Sequence, residues 1–361
     1  MIGEIDDHGR DNTSMYGGEH FQHFYEIYDK VHLPLASIIC LFGVVANTLN
    51  VCVLTRPSMI SPTNIFLTAL SIAQLCLVSN YLALLMFNVC ADSCLWPSLH
   101  SYSGLTYKWL NVNLNVVFHK IAFTHTLILA LMRFLALKAP TFTRTRINAR
   151  SSKTVVLITY VLVPIFCTPM FFMSYVAEKS SSCQLDISYD LEYRDNAVLI
   201  QADMWLFGVL FKLIPSSAIA VLSFFLISSL KDYDRKKERL TSGHNNLIAL
   251  AGSVRKKTCE GKKRARKKQT KMLVMVALFC AGVELPHGVV NLLTAIFGQQ
   301  FAEEVYDNLG DLFEMLTLLY SSANFVLYCL MNKDYQKTFS RLFCQAIRRP
   351  NSQTTALLTD V

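Results

Sequence analysis

Charged residues are scarce: Asp, Glu, Lys and Arg together make up 17% of 361 residues, against roughly 25% in soluble chains. So little charge with so much apolar content excludes a disordered chain, which needs the opposite balance. With 14 Gly and 10 Pro the sequence cannot be a collagen-like fibre, and 11 Cys spread over this length do not make a small disulfide scaffold. Accessible segments contain no metal-spaced His/Cys cluster, no phosphate-binding glycine loop and no nucleophile elbow. Neither an enzyme nor a bound metal or cofactor is therefore expected.

What is present is grease. Apolar residues make up 52%, with 23 Phe and 15 Tyr among them, and the mean hydropathy is +0.34. Seven apolar runs cover 33–54, 65–87, 109–137, 155–176, 204–230, 272–297 and 309–331. Each is long enough, at 1.5 Å per helical residue, to cross a hydrocarbon core of roughly 30 Å. The third run is interrupted by Asn111, Asn113, Asn115, His119, Lys120 and His125. The expected fold is an all-α membrane protein, a seven-helix bundle ending in a short amphipathic eighth helix. Residues 1–30 form an outer tail, 31–331 the bundle with a basic loop at 231–271, and 332–361 the amphipathic helix and cytosolic tail.

The formal net charge of +8 is distributed by topology. Connections on one side hold 26 Lys and Arg, those on the other only 5, and the poorer side holds 17 of the 26 acids. Lys and Arg mark the cytosolic side, which places the N-terminus outside and the C-terminus inside a plasma membrane. The first thirty residues carry seven acids and lack an apolar core followed by a small-residue cleavage site, so the first run is expected to act as the insertion signal. The basic stretches 255–257 and 262–268 would read as a nucleic-acid patch in a soluble protein. Beside a bilayer they read as an anchor to anionic lipid, and no nucleic-acid partner is expected. Outward segments contain Cys90, Cys94 and Cys183, enough for one bridge, Cys183 with either Cys90 or Cys94. The sequon at Asn12 is a glycosylation candidate. Cys344, after the amphipathic run with Phe339, Leu342 and Phe343, is a palmitoylation candidate.

The order of the polar landmarks carries a resemblance. GVVANTLNV around Asn47, LSIAQL at 70–75, MRF at 132–134 with Pro140 beyond it, Pro215, Pro286 and NFVLY at 324–328 fall in register with the motifs of a rhodopsin-like G protein-coupled receptor. FKLIPSS (211–217), VELPHGVVNLL (283–293) and LGDLFEMLTLLYSSANFVLYCLMNKDYQKTF (309–339) look more narrowly like the invertebrate FMRFamide-like and myosuppressin neuropeptide receptors. The nematode dromyosuppressin-receptor-related group belongs there, with the class-w serpentine receptors as near relatives. The resemblance implies a receptor for a short amidated, RFamide-type neuropeptide, passing the signal to a heterotrimeric G protein of the inhibitory class. The alternative is a small-molecule chemoreceptor of the nematode serpentine type with the same fold. Retinal is excluded, since the seventh run contains no lysine.

Within that frame Asn47, Gln74, Arg133, Glu284, Pro286, Asn324 and Tyr328 are the expected activation and coupling residues. Several depart from the family pattern. Gln74 stands where an aspartate usually binds sodium, Met132 replaces the acid before Arg133, Phe325 replaces a proline, and Lys108 stands where the third helix usually supplies a disulfide cysteine. Carboxylates are expensive inside a bilayer and need partners or ligands. Glu314 and Asp311 are therefore expected to meet a ligand cation, and Glu284 to serve a switch beneath the pocket with an internal partner, Lys120 or Lys212 among them. His119, Tyr81, Phe207, Phe211, His287 and Asn291 complete the expected ligand site. The acidic outer face would steer a cationic peptide.

Overall fold

The computed structural model describes residues 15–93, 96–179, 187–194, 196–242 and 253–344. Seven helices in it are long and apolar enough to cross a membrane. They are α1 (Gly18–Leu54), α2 (Pro62–Asp92), α3 (Tyr102–Lys138), α4 (Ala149–Cys167), α5 (Ile214–Ser242), α6 (Ser253–Phe297) and α7 (Asp307–Met331). A shorter α8 (Lys333–Phe339) follows. Between α4 and α5 lies an antiparallel hairpin, β1 (Ser174–Lys179) with β2 (Ser188–Tyr193), in which Ser174 pairs with Tyr193 and Lys179 with Ser188.

Capping chemistry sets where the helices begin. Ser61 accepts a hydrogen bond from the Asn64 N–H, and Pro62 occupies the first turn, where its missing N–H costs nothing. Ser101 caps α3 through Gly104, Asn148 caps α4 through Ser151, and Asn332 caps α8 through Asp334 and Tyr335. Proline shapes the interiors. Pro286 sits within α6, where it removes a backbone donor from the helix interior. Ahead of Pro215 the chain widens into a π-helical stretch, Met204–Leu213, before α5 proper.

α1 packs on α2 and α7, α2 on α3, and α6 on both α7 and the π-helical stretch. The core is a set of apolar clusters threaded between these helices, including Leu67, Leu70, Met272 and Tyr328 in one and Ile219, Val276 and Ala277 in another. α4 turns Leu157, Ile158, Val161, Leu162, Ile165 and Phe166 outward. An apolar surface of this extent is untenable in water and is the lipid-facing belt of a multi-pass membrane protein.

Three features add to the sequence-based expectation. The hairpin is an addition to an otherwise helical chain. α1 begins at Gly18, well inside the expected outer tail. Most of the expected basic loop is helix as well, since α5 runs on to Ser242 and α6 starts at Ser253.

A cavity over a buried charge cluster

At the hairpin end of the bundle α3, α6, α7 and the π-helical stretch enclose a cavity of about 400 Å³, with Tyr193 of β2 on its wall. Six expected ligand residues line it: His119, Phe207, His287, Asn291, Asp311 and Glu314. Tyr81 and Phe211 do not. Tyr81 stands behind Glu314, buried, with its hydroxyl 3.0 Å from His32 Nε2. Phe211 packs between Phe207 and Phe166, toward the lipid face. The π-helical register explains the exchange. Widening to i→i+5 brings Lys212 round to the face of Phe207, so a lysine lines the cavity in place of the phenylalanine.

Gly208 is the point where this stretch touches α6. A Cβ there would sit 2.7 Å from Cβ of Asn291, so only glycine allows the approach. On α7, Glu314 Oε1 accepts a hydrogen bond from Asn115 Nδ2 at 2.9 Å. Asp311 lies one turn earlier on the same cavity face. Asp203 and Tyr306 join the wall from the ends of their helical stretches.

Beneath the cavity Glu284 is 1% exposed. His119 Nε2 lies 3.3 Å from its Oε1 and Lys212 Nζ 3.7 Å from its Oε2. Lys212 Nζ also donates to Nδ1 of His287, whose ring stacks on Phe313 with centroids 4.5 Å apart. Residues from α3, α6 and the π-helical stretch thus meet on one carboxylate, next to Pro286. A buried carboxylate survives only when paired, and here a lysine and an imidazole from neighbouring elements face it.

Further along the bundle, polar groups tie helices together. Asn47 Nδ2 donates to the carbonyls of Gly43 and Ser321, at 3.0 and 3.1 Å, linking α1 to α7. Asn324 Nδ2 donates to Gln74 Oε1 at 2.8 Å, linking α7 to α2. Arg133 Nη2 donates to Thr63 Oγ1 at 3.1 Å. Tyr328 is 1% exposed with its ring 5.8 Å from that of Tyr335, and Tyr335 donates to Asn50 Oδ1 at 2.9 Å, which fixes α8 to α1. Gln74 is a neutral carboxamide engaged with Asn324, and among the described residues no group of acids, His or Cys could hold a metal ion. Replacing sodium chloride with choline chloride is therefore expected to leave agonist potency unchanged. A clear sodium-dependent shift in a binding assay would contradict this.

The hairpin is held to α3 by Trp109 Nε1, which donates to the Ser174 carbonyl at 3.1 Å, and by an edge-on contact of Tyr102 with Tyr189. Within it Lys179 Nζ lies 2.9 Å from Asp190 Oδ2. The hydrogen bond from Lys179 holds the Asp190 carboxyl below its ordinary 3.8, and the same bond raises Lys179 above 10.5. The depressed acid is lost only as pH falls through its lowered value, and the raised base only as pH climbs past its own. Hydrogen exchange of the two strands, 174–179 and 188–193, corrected for intrinsic rates, should be flat from about pH 5 to 9. Asp190→Asn should raise it across that whole range.

Cys90 lies on the last turns of α2 with its thiol free, and its expected partner Cys183 falls outside the described residues. Asn12, Cys94, Cys183 and the side chain of Cys344 lie outside the described residues. Sequence reasoning missed Asn115, Asp203, Tyr306, His32 and Thr63. Asn115 was visible as a polar break in an apolar run, and Asp203 and Tyr306 sit just past the ends of runs. Nothing local marks His32 or Thr63, whose partners come from other helices.

The sequence family described as the serpentine type 7TM GPCR chemoreceptor Srw matches residues 34–346. The chain is 25% identical to the G-protein coupled receptor dmsr-1 of Caenorhabditis elegans, over 90% of this chain and 70% of that one. It is 26% identical to Sex peptide receptor-related protein 2 of the same organism, with 87% and 71% covered. Identity to the Sex peptide receptor of Drosophila melanogaster is also 26%, with 90% and 74% covered. Seven apolar helices, a cavity at one end and a match over most of the length agree: the chain belongs to the Srw family of serpentine G protein-coupled receptors and is a receptor, not an enzyme.

Proposed function

We propose that this receptor binds a short amidated peptide of the RFamide type at the hairpin-end cavity and passes the signal to a heterotrimeric G protein of the inhibitory class. The observation that carries the reading is the paired carboxylate wall, Asp311 and Glu314, facing a cavity whose other walls include Phe207 and Tyr193. Carboxylates suit a guanidinium, which forms charge-assisted pairs with them, and the aromatic walls suit a phenylalanine. Relatives named for a peptide ligand support the class. In this reading the N-terminus and hairpin face outward and α8 faces the cytosol, which the distribution of Lys and Arg supports. Asn12 is glycosylated, Cys183 pairs with Cys90 or Cys94, and Cys344 carries a palmitate beside the inner leaflet. Activation moves α6 about Pro286, with Glu284, Arg133, Asn324 and Tyr328 changing partners.

The family description as a chemoreceptor favours a second reading, a small-molecule ligand in the same cavity. A panel of synthetic RFamide peptides applied to cells expressing the receptor, with surface expression confirmed, separates the two. Signalling at micromolar dose or below supports the peptide reading, and silence across the panel favours the small molecule.

A further inference from the structure

The cavity contains two lysines in different situations. Lys212 is engaged by Glu284 and His287. Lys120 lines the same cavity, yet among the described residues its ammonium has neither a hydrogen bond nor an ion pair. The carboxylates of Glu284 and Asp203 act on it only through space, and Glu284 is already taken by His119 and Lys212. The other charged or titratable groups around the cavity and its floor are Cys167 from α4, Tyr193 from β2, His287 from α6, Tyr306 just before α7, and Asp311 and Glu314 from α7. A cation placed in the middle of a bundle without a partner is costly. Its position is informative too. Asn115, which holds Glu314, lies five residues earlier on α3, so Lys120 sits about 7.5 Å farther along the helix axis. Side chains lean toward a helix's N-terminus, which aims the lysine stem back up into the cavity.

We propose that Lys120 is an acceptor-binding subsite, so that the cavity recognises a ligand with two poles: a cation at Asp311 and Glu314, and a carbonyl or carboxamide oxygen at Lys120. The inference rests on the reading of the cavity as the ligand site and sharpens it by naming what the ligand carries at its far end. For an amidated peptide that group is the C-terminal carboxamide, whose oxygen accepts from the ammonium.

The test uses two defined probes on the purified full-length receptor: Arg-Phe-amide, and Arg-phenethylamide, which keeps the guanidinium and the ring but lacks the carboxamide. Ligand binding raises the thermal midpoint in proportion to affinity. Wild type should prefer Arg-Phe-amide by about tenfold or more, the range of a hydrogen bond to a charged group. Lys120→Met should remove that preference, and Lys120→Arg should keep much of it. Without ligand, Lys120→Met should be as stable as wild type or more so, because it removes an unpaired cation. If that variant instead unfolds early, the lysine has a structural partner and the proposal falls. If Glu314→Gln weakens both probes while Lys120→Met leaves their ratio intact, the cavity reading stands and the Lys120 subsite is refuted. If neither probe stabilises wild type, both fall together.

Discussion

Glu284→Ala is expected to destabilise the receptor by roughly 3–5 kcal/mol, the cost of leaving a buried cation without its counter-charge. The alanine takes away the carboxylate that faces His119 at 3.3 Å and Lys212 at 3.7 Å. Lys212 then faces His287, with Lys120 lining the same cavity and no carboxylate beneath it. Lys212→Met should cost less, because His119 still faces Glu284. The combination Glu284→Leu with Lys212→Met is the informative control. Exchanging a buried ion pair for apolar groups of similar volume is neutral or stabilising in many proteins, so the pair should recover most of the lost stability. Its coupling energy, read from thermal midpoints of wild type, Glu284→Leu, Lys212→Met and the double variant, isolates the pair from the cavity left by truncation. Signalling should not recover with stability, because the proposed role of Glu284 is to exchange partners as α6 moves about Pro286. An alanine variant as stable as wild type would show that the carboxylate carries no structural charge pairing. A double variant that signals normally would remove Glu284 from the switch.

The frame was legible in the sequence because a bilayer tolerates few solutions. Every backbone polar group must be paired inside the segment, so a run such as 272–297 can only be helix. The third run shows why interruptions did not mislead: Asn111, Asn113, Asn115 and His125 are all buried against other helices, where polar groups join helices in a membrane. Mid-span charges pointed to the site for the same reason, since Glu284 and Glu314 had no cheap alternative to a partner. Features outside the hydrocarbon escaped. Outside the hydrocarbon water can satisfy a backbone in many conformations, so the six-residue strands SYVAEK and SYDLEY left no decisive pattern. The extensions of α1 to Gly18 and of α6 to Ser253 lie beyond the apolar runs that define a span. The exchange of Phe211 for Lys212 depends on a π-helical register, and spacing read at 3.6 residues per turn misplaces both.

Glu314→Gln is expected to reduce the potency of an Arg-containing RFamide peptide on the order of 10- to 100-fold, which corresponds to one charge-assisted hydrogen bond of roughly 1.5–3 kcal/mol. The glutamine preserves shape and can still accept from Asn115 Nδ2, as the glutamate does at 2.9 Å, so the change is largely one of charge. Tyr81, braced by His32, remains behind it. Asp311→Asn should act in the same direction, since Asp311 lines the cavity one turn away on α7. The double variant should lose less than the sum of the two, because both carboxylates address one guanidinium and cannot each lose it separately. The discriminating control is a peptide in which norleucine replaces the arginine. It starts weaker, yet should be nearly indifferent to both substitutions. Dose–response curves for the two peptides on wild type and the variants, normalised to surface expression, give the comparison directly. Equal loss for both peptides would mean that Glu314 shapes the cavity without meeting the ligand's charge. That result would move the cation's partner to Asp203, the remaining carboxylate on the cavity wall.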